Sequence, residues 1–192
     1  MEIKVNNDCI PGTILERKQM GNVTGREFLN KIFYISDGIM LSQIREISGI
    51  DGSTLQNWTK RGWVENSKLK RYNIDQLAHI LIINMLRSCM QLDRIAFLIR
   101  YINGSVDDRR DDIISDSQLY DYICRILDRI VADGIAKFEL AEYISQETKD
   151  YQEKIGGARR RLNTALEVII TAYYAALIKQ KADSMLDALY NV

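Results

Sequence analysis

A single proline, Pro11, stands in this chain of 192 residues, and almost every apolar run after it repeats at helical spacing. Proline locks φ and removes a backbone donor, so a chain nearly free of it suits helices joined by short turns. The register is plainest at Leu119, Tyr122, Ile123, Ile126, Leu127, Ile130 and Val131, a stripe without a gap. Three segments have the form of a capping box, in which a side chain at the helix start takes a free backbone N–H and a Glu or Gln three residues on reaches back. They are residues 24–27, 73–76 and 115–118.

The pattern predicts an all-α fold with one small β-wing, in three parts: an irregular arm over residues 1–23, a first domain over 24–104 and a helical domain over 105–192. Helices are expected at about 24–35, 41–48, 52–61, 73–87 and 91–101. Gly49, between the second and third, supplies the positive φ of a tight helix–helix turn, and Ile50 can plug the angle. Over residues 63–72 the helical period lapses. Trp63-Val64 and residues 70–72 read as two short extended pieces around polar residues 65–68, a hairpin or wing. The charged cluster at 107–112 marks a boundary. Beyond it, helices are expected from 115 to a stop at Gly134, from Phe138 to about Tyr151, and from Ala158 to about Leu189. In the last, Leu162, Leu166, Ile169, Tyr173 and Leu177 line one face, and Val168, Ala172 and Ala175 a second. Such a helix is buried on two sides, within one bundle or between subunits. The first face is the expected dimerisation seam.

Formal net charge is zero, so no whole-chain argument for a polyanionic partner exists. The distribution says more. Residues 41–104 carry nine basic and five acidic side chains, whereas residues 105–192 carry twelve and sixteen. Basic charge gathered in one block is expected when one domain meets phosphate.

Other classes are disfavoured. Cys9, Cys89 and Cys124 are odd in number and lack metal-ligand spacing, which argues for a reducing compartment. The first residues hold no apolar run of the signal-peptide kind, and the apolar stretches 80–85 and 168–178 are too short to span a bilayer. A cytoplasmic protein with no membrane partner is expected. No phosphate-cradling glycine loop, zinc signature or catalytic triad is present, and His79 is the lone histidine. The expectation is a non-enzyme with no cofactor and no metal.

The order helix, turn, helix, wing, helix, helix carries the functional reading. Leu55 and Trp58 form a buried stripe on the second helix of the pair, leaving Ser53, Thr54, Gln56, Asn57 and Lys60 outward. Gln and Asn can bond adenine in a bidentate way in the major groove. Arg61, Lys68 and Arg71 add cations suited to phosphates. Residues 41–64, with 70–77 and 90–95, resemble the DNA-binding domain of MerR-family regulators. The shared points are Ile44, Gly49-Ile50, Ser53-Thr54-Leu55, Gly62, Tyr72, Asp75, Leu77 and Ile95. The resemblance covers about a third of the chain. It implies a winged helix-turn-helix that binds double-stranded DNA as a homodimeric bacterial transcriptional regulator. It further implies DNA contacts at Ser53, Thr54, Gln56 and Asn57 and a wing contact at Lys70. MerR proteins usually carry Arg at the Gln56 position and Tyr at Asn57, so their base code does not transfer. The segments Gln56-Asn57-Trp58 and Lys60-Arg61-Gly62-Trp63, with the helical tail, resemble a family of uncharacterised bacterial proteins.

Two alternatives stand beside this reading. The same scaffold can serve as a protein-interaction module that binds no DNA. Tyr122, Tyr143, Tyr173 and Tyr174 can line a cavity for a small-molecule effector or simply fill the core. For His79, Arg159-Arg160-Arg161 and the cluster at 107–112, structural or solvated roles are expected.

Overall fold

The computed structural model describes residues 8–104, 110–133 and 140–190. Among these, eight α-helices follow in order: α1 Gly25–Ile32, α2 Leu41–Ser48, α3 Gly52–Lys60, α4 Ile74–Leu86, α5 Leu92–Asn103, α6 Asp116–Asp133, α7 Leu140–Glu147 and α8 Ala158–Tyr190. The arm contributes one turn of 3-10 helix, Lys18–Met20. The all-α expectation holds. Gly134, Phe138 and residues 107–109 lie outside the described residues.

The core is built around α4. Leu77, Ala78, Ile80, Leu81, Ile82, Ile83, Met85 and Leu86 are all buried, so this helix is apolar almost all round and must be covered on every side. α2, α5, α6 and α8 pack against it. Its start is fixed by the expected capping box: Asn73 Oδ1 accepts from the Gln76 N–H at 2.9 Å, and Gln76 Oε1 accepts from the Asn73 N–H at 3.0 Å. Truncating a fully buried residue such as Ile80 to alanine would cost about 2–5 kcal/mol.

The box expected at residues 24–27 does not form. The Thr24 hydroxyl donates instead to Asp128 Oδ2 at 2.6 Å, and Arg17 pairs with the other oxygen of that carboxylate, also at 2.6 Å. The reason is tertiary: α1 packs on α6, and the Thr24 hydroxyl is drawn toward the Asp128 carboxyl there, away from the free N–H groups of its own helix. Gly25 permits that approach, since a Cβ there would stand 2.5 Å from Asp121 Oδ1.

The division at residue 104 does not separate two cores. Buried residues before and after it form one cluster. The Ser117 N–H donates to Asp75 Oδ1, and Asn103 bonds both Ile113 and Ile114. A boundary read from polar composition marks a surface connection, and nothing in that composition records which faces meet behind it.

The expected hairpin is also corrected. No strand occurs among the described residues, and Trp63-Val64 do not pair with residues 70–72. The chain closes much more tightly. Lys68 and Arg71 exchange backbone hydrogen bonds at 3.1 and 2.9 Å across a two-residue turn, Leu69-Lys70. Tyr72 then exchanges bonds with Ile39, ahead of α2, at 2.9 and 2.8 Å. Trp63 and Val64 are buried and so were never available as an outer strand.

Candidate nucleic-acid interface

The surface begins with the corner between α2 and α3. Gly49 ends α2 with φ 69°, its N–H donating to Arg45 O, and Ile50 is buried in the angle. Asp51 then caps α3. Leu55 and Trp58 are buried, which fixes the rotation of the helix and sends Ser53, Gln56, Asn57 and Lys60 outward.

Ser53 and Thr54 are not placed as free donors. Asp51 accepts from the Ser53 hydroxyl, the Thr54 N–H at 2.8 Å and the Thr54 hydroxyl at 2.8 Å. These bonds, led by that of Ser53, hold the Asp51 carboxyl well below the usual carboxylate range. Both hydroxyls expected to face DNA are therefore committed to an acid at the helix start. The sequence reading missed this, although Asp followed by Ser and Thr is a recognisable capping arrangement.

Gln56 is exposed near the middle of the helix. Asn57 Oδ1 accepts a long bond, 3.4 Å, from Arg61 Nε, and the Arg61 guanidinium lies 5.0 Å over the Trp63 ring. Arg61 is thus oriented by a buried indole rather than swinging freely. The Asn57 carbonyl retains a second lone pair beside this long bond. Lys60 is exposed. Arg45 on α2, absent from the sequence-based candidates, joins this group: its Cδ is 3.9 Å from where a Cβ on Gly52 would stand. Placing the polar face of α2 opposite Ile44 and Ile47 would have revealed it.

The turn supplies the second group. Lys68, Leu69 and Lys70 are exposed, and Leu69 and Lys70 have φ of 51° and 59°. Arg71 is partly committed, donating from Nη1 to Gly38 O at 2.8 Å and Ser36 Oγ at 3.3 Å. Gly38 makes this possible, because a Cβ there would come within 2.9 Å of Arg71 Cβ. Between turn and α4 lies a hollow of about 360 Å³, lined by Ser36, Asp37, Lys68, Arg71, Asn73 and Gln76.

Behind this surface, His79 is buried. Its Nε2 lies 2.8 Å from Trp63 O and its Nδ1 3.2 Å from Asp116 Oδ2. Trp63 N–H donates to Trp58 O at 3.0 Å. The end of α3 is thereby connected to the first residue of α6.

The five residues expected to form a dimer seam are placed elsewhere. Leu162, Leu166, Ile169, Tyr173 and Leu177 are each at most 9% exposed within the single chain. They fill its own core, so they cannot also face a second copy. The opposite side of α8 stays open: Val168, Thr171, Ala175, Ile178, Ala182, Met185 and Leu189 are all exposed, in steps of three and four residues.

The tyrosines do not share one environment. Tyr122 donates to Asp150 Oδ1, and Arg129 lies over Tyr143. Tyr173 borders an open groove of about 1170 Å³ between α8, the arm and the end of α4. Arg159 clamps the α7–α8 connection by donating to Thr148 O and Tyr151 O. Among the described residues there is no group of three or more His, Cys, Asp or Glu able to hold a metal, and no helix long and apolar enough to cross a membrane.

No solved structure matches the chain. It is similar to the uncharacterized protein YkrK of Bacillus subtilis (strain 168), with 27% identity over 118 residues, 58% of this chain and 51% of that protein. The chain thus spans about half the length of this curated relative. A family model described as a domain of unknown function matches residues 28–123, from α1 into α6. That is half of the chain, and it takes in α3, the turn, His79 and Asp116 together: the protein belongs to the DUF1836 family.

Proposed function

We propose that this protein is a non-enzymatic, sequence-specific binder of double-stranded DNA that acts as a bacterial transcriptional regulator. In this reading α3 lies in the major groove and the turn at residues 68–71 meets the backbone, an arrangement like the winged helix-turn-helix of the MerR family. The observation that carries it is the outer face of α3, where exposed Gln56 and Asn57 stand beside Lys60 and Arg61. Amide side chains read bases, and the cations beside them suit phosphates. The excess of basic residues over 41–104 supports the same reading. Asp51 opposes it locally, since a carboxylate at the helix start repels a phosphate there.

A reader of this kind works as a dimer on two half-sites. The exposed stripe of α8, from Val168 to Leu189 and apolar except at Thr171, supports self-association, because apolar residues in alternating steps of three and four form the seam of a coiled coil. A small-molecule effector would find room in the groove beside Tyr173.

The test is selection of duplexes from a random pool by the purified full chain, followed by anisotropy titration at rising salt. Enrichment of a motif, with affinity falling steeply between roughly 50 and 200 mM salt, is expected. A pool left unenriched at low salt overturns the reading and leaves the protein-interaction alternative.

A further inference from the structure

Leu69 is the most conspicuous side chain on the surface. It is 96% exposed, at the tip of the two-residue turn, between Lys68 and Lys70. Its backbone, like that of Lys70, is left-handed, with φ of 51° and 59°. Such turns favour Asn-Gly, because the Cβ of most other residues crowds the following carbonyl oxygen in this conformation. Leu-Lys is therefore a costly choice on two counts: strained backbone, and an apolar side chain in water.

The turn is nevertheless tied down by several hydrogen bonds. Lys68 and Arg71 bond each other's backbones, Tyr72 bonds Ile39, and Arg71 reaches Gly38 and Ser36. Strain maintained by so many contacts points to use rather than accident. The flanking charges fit a polyanion: an apolar tip between two lysines suits a groove bordered by phosphates on either side.

We infer that Leu69 is a wedge that enters the minor groove of duplex DNA and loosens a base step, with Lys68 and Lys70 on the bordering phosphates. This rests on the DNA-binding reading and adds a contact mode to it. Apolar side chains inserted from the minor groove unstack a step and permit closer wrapping.

The experiment compares the full-length wild type with Leu69→Asn, which tolerates the left-handed backbone, on a selected duplex carrying 2-aminopurine near the site. The wild type is expected to raise the 2-aminopurine fluorescence on binding. Leu69→Asn is expected to melt at the same temperature or higher, to bind about tenfold more weakly or worse, and to keep the salt slope while losing the fluorescence rise. Lys70→Asn is expected to reduce the salt slope instead. If Leu69→Asn matches the wild type in affinity and fluorescence, the wedge is wrong while DNA binding stands. If the wild type binds no duplex, both fall.

Discussion

His79 and Asp116 meet in the interior, Nδ1 lying 3.2 Å from Oδ2, with both residues about 95% shielded from solvent. The other ring nitrogen faces the carbonyl of Trp63 at 2.8 Å. Each ring nitrogen thus stands within hydrogen-bond distance of an oxygen. The contact joins the residue after α3 to the start of α6. His79→Ala is expected to destabilise the chain by about 1–3 kcal/mol or more, the scale for leaving buried polar partners unsatisfied. Asp116→Asn should cost less, because its amide oxygen can still accept from the ring. Urea unfolding of the two variants measures the difference, and equal losses would show that the contact is only packing.

Cys124 gives a pH prediction. It is fully buried against α1, and burial, reinforced by Asp128, pushes its thiol up to about 12. In the folded chain the thiol stays neutral, while in the unfolded chain it ionises from about pH 8.5. The contribution is therefore constant below that pH and declines as pH rises toward 12, by about 1.4 kcal/mol per unit. Urea midpoints should drop between about pH 9 and 11, and less steeply for Cys124→Ala. An identical pH profile in that variant would rule out the thiol as the cause.

The helices were legible in the sequence because burial of one face leaves a period. α2, α3, α4 and α5 lie within two residues of their expected limits. The Asn73–Gln76 cap was legible because both partners are local. The partners of Thr24 and Tyr72 were not, since Asp128 and Ile39 are distant in sequence and no periodicity points to them. α8 is expected from its pattern to be buried on two sides, yet only the Leu162–Leu177 side is covered, while Val168 and Ala175 on the second are exposed. Periodicity shows that a stripe exists, not what covers it. In the candidate site, Gln56, Asn57 and Lys60 were found from the buried positions of Leu55 and Trp58. The engagement of Ser53 and Thr54 by Asp51 is a side-chain choice that spacing alone does not decide.

The two faces of α8 can be separated by mutation. Ile178→Glu with Met185→Glu puts charge on the exposed stripe and should convert a dimer to a folded monomer, visible as a fall in sedimentation coefficient with unchanged helical circular dichroism. Leu166→Glu puts charge into a position with no exposure and should unfold the chain. A wild type that sediments as a monomer at micromolar concentration would remove the basis for the first expectation.

Asp51 offers the sharpest probe of the α3 surface. Its carboxylate is exposed at the helix start and draws in the Ser53 and Thr54 hydroxyls. Asparagine caps helices about as well as aspartate, so Asp51→Asn should leave the melting temperature nearly unchanged. It also removes one negative charge and weakens the hold on both hydroxyls, freeing donors at the end of a helix whose N-terminus already favours anions. If α3 meets DNA with its first turn near a phosphate, Asp51→Asn binds more tightly than the wild type, and the gain shrinks as salt rises. A variant that melts normally but binds no better would mean that the first turn of α3 points away from the backbone, and that Gln56 and Asn57 approach the groove from the other end of the helix.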